Sequence, residues 1–261
     1  MHRLVVGSLF SGIGGFDIAA SWMGWRTAWV SEIEPFACRV LAQHFPDAPN
    51  LGDITKIDFT TVEPVDVLVG GFPCQDISNA GEQEGITGTR SGLWFEYARA
   101  ICELRPRYVV VENVAALTNR GLDAVLGSLA KIGYDAEWGC FGAADVGAPH
   151  KRERLWLLAY PQRGSESVAD ASGSRREGGV YRRENTQREG VMGHTGRSGA
   201  VHEQPRQDWW ATEPSVGRVA HGVSGRVAQL KGLGNAIVPQ CASVVYQEIA
   251  KREQLSGPVA L

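Results

Sequence analysis

The chain lacks most of the features that mark specialised protein classes. Its five cysteines, Cys38, Cys74, Cys102, Cys140 and Cys241, never fall in C-x-x-C spacing. Their odd number argues against both a disulfide framework and a zinc ribbon. The six histidines form neither H-x-x-x-H nor H-E-x-x-H, so metal-dependent chemistry has little support in the sequence. Uninterrupted apolar runs of about 18 residues are missing, which excludes a membrane-spanning helix. The first residues run straight into a strand-like pattern. They carry neither the apolar segment nor the cleavage site of a signal peptide, and cytoplasm is the expected compartment. No internal repeat is present.

What is present suits one large globular domain, or a main domain with a small appendage. The 261 residues are 43% hydrophobic and 21% charged, enough to bury a sizeable core. A net charge of −3 hides a division along the chain. Residues 1–149 hold 10 Lys+Arg against 18 Asp+Glu, whereas residues 150–230 hold 13 against 9, and 12 of those 13 cations are arginine. Arginine offers a planar fork suited to phosphates and guanine edges. A solvated surface of mixed sign fits the same counts. From residue 163 to 207 only nine of 45 residues are apolar, while eight are Gly and eight Arg. Such a stretch cannot build its own core and reads as loop, or as a segment ordered by a partner.

Before Pro161 the pattern alternates between strand and helix. Residues 4–10 are apolar and β-rich, followed by Phe16, Ala19, Ala20 and Met23 on one helical face. Residues 27–30 form a short strand, and Pro35 is placed to open the next helix. Strands are expected at 65–69, 108–111 and 155–159, a weak one ending at Gly52-Asp53-Ile54, and helices at 93–104 and 122–132. This alternation predicts an α/β fold, a mostly parallel sheet with helices on both faces.

In such a sheet, ligands bind beyond the carboxyl ends of the strands, and the unusual residues fall there. Successive strands end in Ser11-Gly12-Ile13-Gly14-Gly15, Ser31-Glu32-Ile33-Glu34, Gly52-Asp53-Ile54, Gly71-Phe72-Pro73-Cys74 and Glu112-Asn113. The glycines would let a ligand approach backbone amides, although a tight strand–helix turn needs glycine anyway. Glu32 stands where a carboxylate can hold ribose hydroxyls, and Asp53 where one can accept from an adenine amine. Asp17 at the sixth position of the glycine loop departs from the dinucleotide fingerprint, which disfavours an NAD-linked oxidoreductase. Cys74 lies in a rim loop, where it is either structural or a nucleophile needing cationic help.

Five short motifs then occur in order: 9–16 (LFSGIGGF), 71–75 (GFPCQ), 112–114 (ENV), 150–154 (HKRER) and 232–236 (GLGNA). They resemble the ordered motifs of the DNA cytosine-5 methyltransferases over residues 4–160 and 230–250. The resemblance implies a Rossmann-like domain for S-adenosylmethionine with a small, irregular target-recognition region. The corresponding boundaries are 1–160, 161–229 and 230–261. By motif match, Phe10, Gly12, Ile13 and Gly15 would line the cofactor loop, Glu32 would hold the ribose, and Asp53 and Ile54 would meet the adenine. Ile33 replaces an aromatic ring found in many members, implying weaker stacking. Pro73, Leu93, Asn235 and Ala236 would complete the cofactor site. Cys74 would be the nucleophile, Glu112 would contact the cytosine N3 edge, Arg154 its O2, and Arg152 nearby phosphate or developing charge. His150 stands where the family usually has Gln, a change that bears on support of the catalytic loop. The resemblance further implies S-adenosylhomocysteine as product, no metal, double-stranded DNA as partner, a monomer, and a restriction endonuclease as a potential companion. An RNA cytosine methyltransferase would use the same Cys74 and Glu112, but the Cys-Phe-Thr signature of the tRNA-modifying branch is absent. A silent DNA-binding regulator would have no chemical need for both residues.

Overall fold

Residues on successive strand positions point to opposite faces, and here both faces are apolar. The computed structural model describes residues 3–73, 92–119, 121–162 and 226–255. Cys74, Trp209, Trp210 and nearly all of the arginine-rich segment lie outside the described residues. The elements are β1 (Val5–Leu9), α1 (Gly15–Trp22), β2 (Arg26–Ser31), α2 (Pro35–His44), β3 (Val67–Gly70), α3 (Gly92–Leu104), β4 (Tyr108–Val114), α4 (Leu122–Lys131), β5 (Tyr134–Gly142), β6 (Glu153–Pro161), α5 (Arg226–Asn235) and α6 (Pro239–Leu255). The sheet order is β2-β1-β3-β4-β6-β5.

Leu9, Leu68, Val109, Val111, Leu155 and Leu157 face α3 and α4, meeting Trp94, Tyr97, Ile101, Val125 and Leu129. The intervening Val6, Val67, Val69, Val110, Trp156 and Leu158 face α1 and α6, meeting Phe16, Ala19, Tyr246 and Ile249. Helices therefore cover both faces of the sheet, as the alternation predicts. Pro35 opens α2 at its first turn, where a missing N–H costs nothing.

The structure departs from the sequence reading in three places. The weak third strand is absent. An isolated bridge, Val30 to Asn50, is followed by a 3-10 turn over Ile54–Lys56. The Asp53 carboxylate accepts from Thr55 N at 3.0 Å and caps that turn, so the local polar chemistry ends any extended run. A strand not expected, β5, forms the sheet edge. Its outward Glu137, Trp138 and Cys140 blur the apolar period by which a strand is read. Within a mostly parallel sheet, as expected, one strand reverses, which the sequence did not signal: β1 to β4 are parallel, and β6 runs antiparallel to both β4 and β5. Only the short link through Ala143–Val146 joins β5 to β6, too short for the helical crossover that a parallel pair requires.

Candidate active site

Register puts the strand ends on one level. Leu9 lies opposite both Ser31 and Gly70, and Gly70 lies opposite Val111. The residues that follow, Phe10, Glu32, Gly71 and Glu112, therefore leave the sheet side by side. Phe10 and Arg152 are two of three non-glycine residues with positive φ among the described residues (50° and 32°). Such backbone carries a cost and clusters where a site demands it.

On the β1–β2 side the Glu32 carboxylate is the hub. Oε2 accepts from Gly12 N at 2.7 Å, and Oε1 accepts from Ile33 N and Glu34 N at 2.8 Å each. A carboxylate has about four lone-pair positions, so capacity remains for a ligand hydroxyl. A Cβ on Gly12 or on Gly52 would meet no protein atom within 4 Å, so both turns open onto free space. Ile33 is 69% exposed on the same rim, leaving an apolar face for a planar ring. Asp53 spends Oδ1 on Thr55 N and Oγ1, and these bonds hold its carboxyl pKa below the usual value. Ile54 is buried in the same core cluster as Leu9 and Trp29, so little of it is open to a ligand. Phe10 and Leu93 are half-buried against the same cluster, while Pro73 is exposed at the end of a described stretch.

The β4–β6 side holds a buried carboxylate and its cationic neighbours. Glu112 Oε1 lies 3.1 Å from Arg154 Nε. Burial pushes the Glu112 carboxyl up to about 7, opposed by the charges of Arg154 and Arg152. Neighbouring Asn113 donates through Nδ2 to the Phe72 carbonyl at 3.0 Å, pinning the start of the Pro73 loop beside Glu112. The guanidinium of Arg152 donates to the carbonyls of Gly234 (2.8 Å) and Ala236 (2.6 Å). It thus ties the C-terminal end of α5, including exposed Asn235, and the residue that follows it to the rim. His150 and Arg152 flank an open depression walled by Leu233 and residues 236–240.

A residue the sequence reading missed holds the two sides together. A Cβ on Gly15 would lie 2.5 Å from the Ile237 carbonyl oxygen, and one on Gly71 would lie 3.5 Å from Ile237 Cδ1. Gly15 therefore serves the close approach of the chain's own C-terminal segment, where a ligand was expected. Nothing in an apolar residue more than 200 positions away signals such a contact. Among the described residues no group of three or more His, Cys, Asp or Glu side chains could hold a metal.

The family model for C-5 cytosine-specific DNA methylase matches residues 4–189. The type II methyltransferase M1.ScrFI of Lactococcus lactis subsp. cremoris is 37% identical over 167 residues, covering 62% of this chain and 43% of that protein. M.HhaI of Haemophilus parahaemolyticus is 33% identical over 156 residues, covering 58% and 47%. The chain thus spans less than half the length of these relatives. A DNA modification methyltransferase encoded within an E. coli prophage superposes with a TM-score of 0.51 at 25% identity, covering 61% of this chain and 47% of that one. The S. pombe Dnmt2 methyltransferase shares the fold, with a TM-score of 0.53 at 21% identity over 64% of this chain and 52% of its own. A matching family model over most of the chain, on a rim that gathers the motif residues of both chain halves, leaves one assignment: this chain belongs to the C-5 cytosine-specific DNA methylase family.

Proposed function

We propose that the protein methylates C5 of a flipped-out cytosine in double-stranded DNA, through a covalent adduct to Cys74. The observation that carries this reading is Glu112: a buried carboxyl near pKa 7, held by Arg154, beside a loop pinned through Asn113 and Phe72. Cytosine C5 is a poor nucleophile. Addition of the Cys74 thiolate to C6 makes the ring enamine-like, provided charge on N3 is relieved. A carboxyl titrating near neutrality can present a proton to N3 at little cost, and Arg154 alongside can hold O2. C5 would then take the methyl group from the sulfonium donor, and loss of the C5 proton to a base with breaking of the C6–sulfur bond would release 5-methylcytosine and the Cys74 thiolate. The free thiol, with an ordinary pKa of about 8.5, needs nearby cationic charge to ionise. Extruding the base from the duplex costs a few kcal/mol.

The β1–β2 turns fit an adenosyl ligand: a half-buried carboxylate, two glycine turns open to space and an exposed apolar face. Bound there, S-adenosylmethionine would supply the electrophilic methyl group and leave as S-adenosylhomocysteine. Glu32 would hold ribose hydroxyls, with Asp53 and Ile54 at the adenine end. Arg152 would act by anchoring residues 234–236 as a wall of the site, its guanidinium being committed to their carbonyls. Residues 1–160 and 230–261 form the catalytic part in this reading, and 161–229 the target-recognition region. The protein would act as a monomer on DNA, within a restriction-modification system or alone.

Duplex DNA carrying 5-fluorocytosine in the target site tests the adduct, because fluorine blocks the final elimination. The expected result is a complex that survives a denaturing gel with the wild-type protein and is absent for Cys74→Ala. Equal trapping by Cys74→Ala would overturn the assignment.

A further inference from the structure

Where a third strand was expected, one side chain takes over its work. The carboxamide of Asn50 grips Glu32 at both backbone polar groups. Oδ1 accepts from Glu32 N at 3.0 Å and Nδ2 donates to the Glu32 carbonyl at 3.0 Å. The same Oδ1 also accepts from Gly52 N at 3.1 Å, and Nδ2 reaches Cys38 Sγ at 3.3 Å. Cys38 in turn donates to the Glu32 carbonyl at 3.3 Å. Ser31 Oγ donates to the Gly52 carbonyl at 2.7 Å, closing the link between the two turns. A single exposed residue thus spans the Glu32 turn and the turn that carries Asp53.

We infer that Asn50 is a positioning residue for the adenosyl end of the cofactor site, setting the spacing and aim of Glu32 and Asp53 without touching the ligand. The inference rests on the reading of these two carboxylates as the adenosyl contacts. A carboxamide is required because one planar group must accept two N–H bonds and donate to a carbonyl. With Ala at position 50 the Glu32 backbone loses both grips, and only the Ser31–Gly52 bond and the backbone bridge at Val30 still tie the two turns, so the aim of Glu32 relative to Asp53 is less tightly set. A misaimed carboxylate forfeits much of a charge-assisted hydrogen bond.

The test is calorimetric titration of the whole 261-residue chain with S-adenosylhomocysteine, run on wild type, Asn50→Ala, Glu32→Ala and the double variant. Asn50→Ala is expected to raise the Kd about tenfold. In the Glu32→Ala background the same change should add no more than about twofold, since coupled residues are not additive. Steady-state methylation should show the KM for S-adenosylmethionine rising with the Kd while kcat at saturating cofactor and DNA stays unchanged. A general loosening of the fold would instead lower the ligand-free melting temperature and move both constants. Additive effects in the double variant, or a wild-type Kd for Asn50→Ala while Glu32→Ala binds weakly, would overturn the inference alone. A wild-type Kd for Glu32→Ala would overturn the cofactor reading on which it rests.

Discussion

Burial raises the Glu112 carboxyl from the ordinary glutamate value of 4.5 to about 7, against the pull of Arg154 and then Arg152. The sign of its effect on stability follows. Below about pH 4.5 the group is protonated in both folded and unfolded chains. Between that pH and 7 the unfolded chain releases its proton and the folded one keeps it, so stability falls as pH rises. The window spans at most about 3 kcal/mol. Glu112→Gln stays neutral and still accepts from Arg154, so it should lose this dependence. Urea unfolding at pH 5 and pH 8 should show the variant gaining on wild type, by up to about 3 kcal/mol. A constant difference would contradict the buried-carboxyl picture. Methyl transfer by the same variant should fall by about 100-fold or more, the usual scale for a lost proton donor. Glu112 could be singled out from its motif in the sequence. Its burial and titration near 7 could not, because the burial comes from segments distant in sequence, Gly71 and the paired strand β6, packed beside it.

Among the elements, α6 decides whether the glycine loop keeps its shape. Tyr246 is fully buried, with its ring 4.8 Å from Trp25 and 6.5 Å from Phe16, and its hydroxyl donates to the Phe16 carbonyl at 3.3 Å. That contact seals the first turn of α1 against a helix 230 residues away. Tyr246→Ala should cost about 3–5 kcal/mol, as other deletions of buried rings do. Tyr246→Phe should cost about 1 kcal/mol through the lost hydrogen bond. Chemical denaturation of both variants measures this, and a loss for Tyr246→Ala below that of Tyr246→Phe would show that α6 does not carry the load. Helices α1 to α4 were legible because a 3.6-residue apolar period is set by a single helix and its one buried face. The edge strand β5 was not, because neighbouring side chains such as Glu137 and Trp138 are both exposed and its pairing is supplied by β6.

At the scale of the whole molecule, charge separates the parts. The acidic first 149 residues carry the rim of glycines and carboxylates, and the arginine-rich stretch lies between Arg154 and Asn235 in sequence. If that stretch recognises DNA, replacing residues 165–205 by a short Gly-Ser linker should abolish sequence-selective methylation and leave S-adenosylhomocysteine binding intact. An unchanged methylation motif, read by bisulfite sequencing, would sink the assignment. Binding by the intact chain should fall with salt at a log–log slope of about −0.9 for each phosphate neutralised. The sequence by itself determined the α/β class, the rim of glycines and carboxylates, and the family, because each is written in short local patterns. Folding decided what those patterns do. It replaced a third strand by the Asn50 carboxamide, turned β6 antiparallel, and committed Arg152 to carbonyls 82 and 84 residues away. It also brought Ile237 against Gly15. These are contacts between distant segments, whose energy depends on a geometry that no local stretch of the chain contains.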